Sequence, residues 1–167
     1  MKTIFRVGLV LAWAVAYVPA QESPVFLETA DQFRSAVAFD TSLADVSAAV
    51  NDMDQLQEMA QRVLILDGIA ASVTVYSVAE DDFYVEVELV GGSWDGLETV
   101  NVHSSYVVLD DPIFAERVAE RVPRDPPDDM ILRNRRVLVA GRLVNVAESP
   151  TGELIPVIRA FEVRVIR

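Results

Sequence analysis

Cysteine is absent from the 167 residues, histidine occurs once, at His103, and lysine once, at Lys2. Without cysteine there is no disulfide, no thiol nucleophile, no thiolate-held zinc or iron–sulfur cluster, and no lipid-modified N-terminal cysteine. With a single histidine, a transition-metal site would rest on carboxylates. The G-x-x-x-x-G-K-[ST] and G-x-G-x-x-G phosphate loops are missing, as is the G-x-S-x-G elbow that a serine nucleophile needs. Ser104 and Ser105 follow His103 directly but carry none of that context. The acidic clusters Glu80-Asp81-Asp82, Asp110-Asp111 and Asp128-Asp129 lack the spacing of an EF-hand. They read as solvated turns and a helix cap, so no cofactor and no metal is expected.

The chain begins MKTIFR, continues VGLVLAWAVAYV and then reads PAQE. A basic start, a dozen apolar residues and a small residue at a cleavage position describe a secretory signal peptide, with the cut after Ala20. The apolar run falls short of the ~20 residues of a membrane span. Removing the first 20 of 167 residues would leave 147, enough for one domain with a core. It would also take Lys2 and Arg6 and move the net charge from −12 to −14. Such acidity opposes nucleic-acid phosphates and anionic membranes. The charge is uneven, however. Residues 133–167 hold seven arginines against three glutamates. Either these strands pair with acidic neighbours across a sheet, or they present a basic face to an anionic partner.

Along the chain, Thr29 and Gln32 fit a capping box ahead of a short helix, ADQFRSAV. Leu43, Val46, Val50, Met53, Leu56, Met59 and Val63 form one helical stripe, broken at Asp67-Gly68. The period then becomes two. ASVTVYSV, FYVEVELV and LETVNVHS read as three strands, with turns at Glu80-Asp81-Asp82 and GGSWDG. Asp111 and Pro112 are a natural N-cap and first helical residue for PIFAERVAERV, whose apolar side is Ile113, Phe114, Val118 and Val122. RDPPDDM is a loop. RRVLVAGRLVNV and the final strand close the chain around an SPTGE hairpin.

Three antiparallel strands, a helix and two more strands is the order of the five-stranded Greek-key barrel called the OB-fold. The expected organisation is a signal peptide at 1–20, an N-terminal helical extension at 21–65 and an OB-fold-like domain at 66–167. A two-layer sheet with helices on one face uses the same elements; the barrel is preferred. Gly141 sits mid-strand, where a missing Cβ would let a small barrel coil tightly. On these segments, residues 66–167 resemble the small secreted bacterial OB-fold proteins. That resemblance implies a binding surface on the second and third strands and the adjoining loops.

The candidate surface is Tyr84, Glu86, Glu88, Asn101 and His103 with Trp94 in the glycine-rich turn. Tyr76 and Tyr106 are further aromatics. Glu86 and Glu88, two residues apart and so roughly 7 Å along a strand, are the only support for a glycosidase-like carboxylate pair. Outward acids on a sheet are commonplace, and no catalytic role is assigned. The expectation is a secreted or periplasmic, non-enzymatic binding module. It would contact another envelope protein, hold no stable membrane anchor after cleavage and bind no nucleic acid. A binder of a small molecule, glycan or cation on the same face is the alternative; a hydrolase, and the nucleic-acid binding that the resemblance allows and the charge opposes, rank below both.

Overall fold

The computed structural model describes residues 29–96, 98–149 and 151–166; the signal-peptide expectation lies outside them. Among the described residues no helix is long and apolar enough to cross a membrane.

The N-terminal part is helical: α1 (Ala30–Ala36), a two-residue strand β1 (Val37–Ala38), α2 (Leu43–Ala49) and α3 (Met53–Ala60). Thr29 and Gln32 form the capping box of α1. The single stripe expected over 41–63 is two helices. Asp52 breaks it, because its carboxylate accepts from the backbone N–H groups of Asp54 and Gln55 and caps α3. Ser42 and Asp45 close a second capping box at α2, which buries Leu43, Val46 and Ala49 against the barrel.

The barrel strands are β2 (Val63–Ser77), β3 (Tyr84–Asp95), β4 (Thr99–Leu109), β5 (Arg136–Glu148) and β6 (Leu154–Ile166). β2 pairs with β3 and β5, β3 with β4, and β5 with β6, all antiparallel; β4 and β6 run parallel and close the ring. That is the OB-fold connectivity, with a helical segment ahead of the barrel as expected. β2 starts at Val63 and passes straight through Asp67-Gly68, where a break was expected. Gly68 is a packing glycine: a Cβ there would lie 2.8 Å from Leu89.

Gly141 behaves as the barrel argument requires. It pairs with Leu64 of β2 on one side and Ala160 of β6 on the other. A register shift falls beside it, and a Cβ would approach the Arg159 carbonyl oxygen to 2.4 Å.

The element between β4 and β5 is shorter than expected. Asp111 caps it and Pro112 opens it, but only Pro112–Arg117 is helical, as a 3₁₀ segment. Phe114 and Val118 are buried, while Ile113 and Val122 are each 62% exposed. Arg117 anchors the segment to β6, pairing with Glu162 at 3.2 Å and donating to the Val163 carbonyl. It lies at the barrel end where β4 finishes; α2 and α3 lie toward the end where β5 finishes.

Candidate functional site

Strand alternation decides which side chains share a surface. On β3, Val85, Val87 and Leu89 point into the core, so Tyr84, Glu86, Glu88, Val90, Gly92 and Trp94 point out. On β4 the outward partners are Tyr106 opposite Glu88, Val102 opposite Gly92 and Val100 opposite Trp94. Asn101 and His103 pair with Ser93 and Gly91 and therefore occupy the other side of the sheet. There the His103 Nε2 lies 3.1 Å from the Ser93 hydroxyl, close to α2. The six sequence candidates thus split four and two. In the register the ladder adopts, valines fill the β4 positions beside Trp94.

The outward face of β2–β3–β4 has two ends of different character. At one end Tyr76 and Tyr84 pack with ring centroids 5.5 Å apart, beside Tyr106, Glu86 and Glu88. Glu88 accepts from the Ser72 hydroxyl at 3.2 Å. Burial raises the ionisation of Tyr84 and Tyr106 above the ordinary tyrosine range, and Glu86 adds to it. This end is aromatic and acidic.

The other end is a groove of about 460 Å³. Its floor is Ile69, Ala71, Val90, Gly92 and Val102. Val102 is 66% exposed and Trp94, nearer the hairpin tip, 71%, so the apolar surface runs on past the groove. Its wall is the turn 133–136, which sequence reasoning did not assign to the site. Asn134 adopts a left-handed backbone, φ 64°, a conformation asparagine tolerates. Its N–H donates to the Ala70 carbonyl at 2.7 Å, and the Ala70 N–H donates to the Arg135 carbonyl at 2.9 Å. These two bonds hold Arg133 and Arg136 over the groove. Arg136 is engaged, donating from Nε to Asp67 at 3.0 Å and from Nη2 to the second carboxylate oxygen. Arg133 is exposed and makes no ion pair among the described residues.

The arginine-rich C-terminal part partly follows the cross-strand pairing reading. Arg136 meets Asp67 of β2, and Arg159 meets Asp110 at 2.9 Å. Arg133 and Arg142 meet no carboxylate among the described residues. The only signal in the sequence was the count of seven arginines; which ones stay unpaired depends on the barrel seam. Among the described residues no group of acidic and histidine side chains is arranged to hold a metal ion.

No family model and no curated protein matches the chain. Among solved structures it is similar to the small single-stranded DNA-binding protein from Streptomyces coelicolor, at 12% identity and a TM-score of 0.42, over 62% of this chain and 91% of that one. It is also similar to the Plasmodium falciparum single-stranded DNA-binding protein in complex with single-stranded DNA, at 14% identity and a TM-score of 0.44, over 63% and 94%. A third is the dimeric N-terminal domain of PriB protein from Thermoanaerobacter tencongensis, at 14% and 0.34, over 63% and 96%. These single-stranded DNA-binding neighbours run against the expectation of a module that docks on an envelope protein, or holds a small molecule, glycan or cation on the same face, and meets no nucleic acid. The charge argument behind that expectation summed the whole chain, whereas a ligand meets only the charges facing its own groove.

Proposed function

We propose that this chain binds single-stranded nucleic acid in the groove on the β2–β3–β4 face and acts by binding rather than by catalysis. The observation that carries the reading is the exposed Arg133, which meets no carboxylate among the described residues, held above an apolar floor that runs on to the exposed Trp94. Proteins that hold single strands without sequence preference combine cations along the backbone with aromatic and apolar surfaces under the bases. Bases lie on Val90, Val102 and Trp94, and phosphates face Arg133 and Arg136. Every base has a π-face, so this arrangement carries little sequence information. Glu86 and Glu88 lie toward the opposite end of the face and confine the strand to the glycine-floored groove.

The test is fluorescence anisotropy of a labelled oligothymidylate at ~20 mM salt, with an expected Kd in the range of ~10⁻⁴–10⁻⁶ M. Trp94→Ala should weaken binding by ~1–3 kcal/mol, the usual worth of one stacked base. Equal affinity for wild type and Trp94→Ala, or no anisotropy change at ~1 mM protein, refutes the reading.

A further inference from the structure

We infer that the bound strand continues from the groove round the barrel onto the outer face of β5 and β6, where Arg142 and Phe161 form a second stacking site. The inference rests on the groove reading, because the groove supplies the strand that continues.

The two surfaces are joined by the sheet itself. Arg136, in the groove wall, pairs with Ile69, in its floor, across the β2–β5 ladder. From Arg136 the outward positions of β5 step through Leu138, which stands between Asp67 on β2 and Arg164 on β6, and Ala140, which stands opposite Glu162, to Arg142; the two carboxylates are already met by Arg136 and by Arg117 and Arg164. Six residues of strand span about 20 Å at ~3.3 Å each, the length of about six stacked nucleotides at ~3.4 Å.

The far end of this path has an unusual feature. Arg142 lies directly opposite Arg159 in the β5–β6 ladder. Like charges in that relation destabilise a sheet. Arg159 is relieved by Asp110, with its Nε 3.0 Å from the carboxylate. Arg142 meets no carboxylate among the described residues; its guanidinium lies 5.9 Å from the centre of the Phe161 ring. Phe161 is itself 46% exposed on the outside of the barrel. A cation on an exposed ring, facing a second cation, is short of an anion and has room for a planar group. A nucleotide supplies both, its phosphate between Arg142 and Arg159 and its base against Phe161. An acidic peptide would satisfy the cations but would leave the ring uncovered.

The experiment compares oligothymidylates of about 5 and about 15 nucleotides on wild type, Trp94→Ala, and the double variant Arg142→Gln with Phe161→Ala. Both substituted side chains are exposed, and unchanged thermal melting would confirm that the variant folds. We expect the double variant to bind the short oligonucleotide as wild type does. It should bind the long one about 10-fold more weakly, with a log–log salt slope shallower by ~0.7, the share of one neutralised phosphate. Unchanged affinity for the long oligonucleotide, or an equal loss for both lengths, overturns the inference. If Trp94→Ala still weakens both lengths in that case, the groove reading stands; if neither length binds wild type, both fall.

Discussion

Replacing Gly141 with alanine should damage this barrel more than any other glycine substitution in it. The added Cβ would stand 2.4 Å from the Arg159 carbonyl oxygen and 2.8 Å from Ile158 Cγ2. The nearest atom belongs to the backbone of β6, so no rotamer change relieves the contact. β6 must move away by most of an ångström at the point where β5 is also bonded to β2 through Leu64. Forcing a methyl group into a packed interior costs ~1–3 kcal/mol when side chains can shift. Here the expectation is the top of that range, about 3 kcal/mol, which lowers the melting temperature by about 10 °C in a domain of this size. Two other glycines serve as controls. At Gly92 the new Cβ meets the exposed Val100 Cγ1 at 3.2 Å and the Asn101 carbonyl oxygen at an ordinary 3.8 Å, and the change should stay within ~0.5 kcal/mol. At Gly96, φ is +68° with nothing within 4 Å, so only the left-handed backbone penalty of ~1–2 kcal/mol applies. Urea denaturation of the three variants reads the order directly. A Gly141→Ala destabilisation below ~1 kcal/mol, or one no larger than that of Gly92→Ala, would refute the seam argument.

Two further outcomes follow from local geometry. Asp45 is held below its ordinary 3.8 by the hydrogen bond from the Ser42 hydroxyl and then by that from the Ser42 backbone N–H. A depressed carboxylate adds stability above its unfolded value and loses it as pH falls through the folded one. Asp45→Asn should therefore cost about 0.5 kcal/mol at pH 7, the low end for an exposed cap. The difference from wild type should vanish on acidification below 3.8, as measured by urea midpoints across pH. Phe114→Ala should cost ~3–5 kcal/mol in the same assay, and Ile113→Ala less than ~0.5 kcal/mol, if Phe114 alone of the pair fills the barrel end.

Much of the fold was legible because each strand obeys a period of two and each helix start carries its own cap. Thr29, Ser42, Asp52 and Asp111 all cap helical turns, and a side-chain oxygen at such a position marks a boundary locally. The misreadings came where a residue serves two possible purposes. Asp52 sits within an unbroken apolar stripe, so its capping role was hidden by periodicity. Gly68 has the sequence neighbourhood of a turn and the environment of a close strand contact. Periodicity also made Ile113 and Val122 look like core; a 3₁₀ segment of six residues has no continuous face to bury them both. The site was less legible still. Whether Asn101 or Val102 stands beside Trp94 is set by the β3–β4 register, and a shift of one residue exchanges them. The groove wall comes from a turn that starts 31 residues beyond Val102, the last residue of its floor, and is brought there by the Ala70 hydrogen bonds.

On the groove reading, net charge is a poor guide for a related reason, with a measurable consequence. The sum of −12 counts carboxylates on every surface, while the excess of arginine after residue 132 counts guanidinium groups already spent on Asp67, Asp110 and Glu162. Neither total describes what a strand in the groove would meet, which among the described residues is Arg133 with no carboxylate partner and Arg136 shared with Asp67. Two phosphate contacts correspond to a log–log salt slope of about −1.4 for a short single strand. Raising salt from ~50 to ~200 mM should then weaken binding only about 7-fold, against the ~10³–10⁵-fold weakening of a protein making 6–10 such contacts. A shallow slope together with a large Trp94→Ala effect would mean that stacking and apolar contact supply most of the affinity. That is the way an acidic chain can hold a polyanion. A steep slope would require more cations than Arg133 and Arg136, the two that line the groove among the described residues, and would place the strand elsewhere on the molecule.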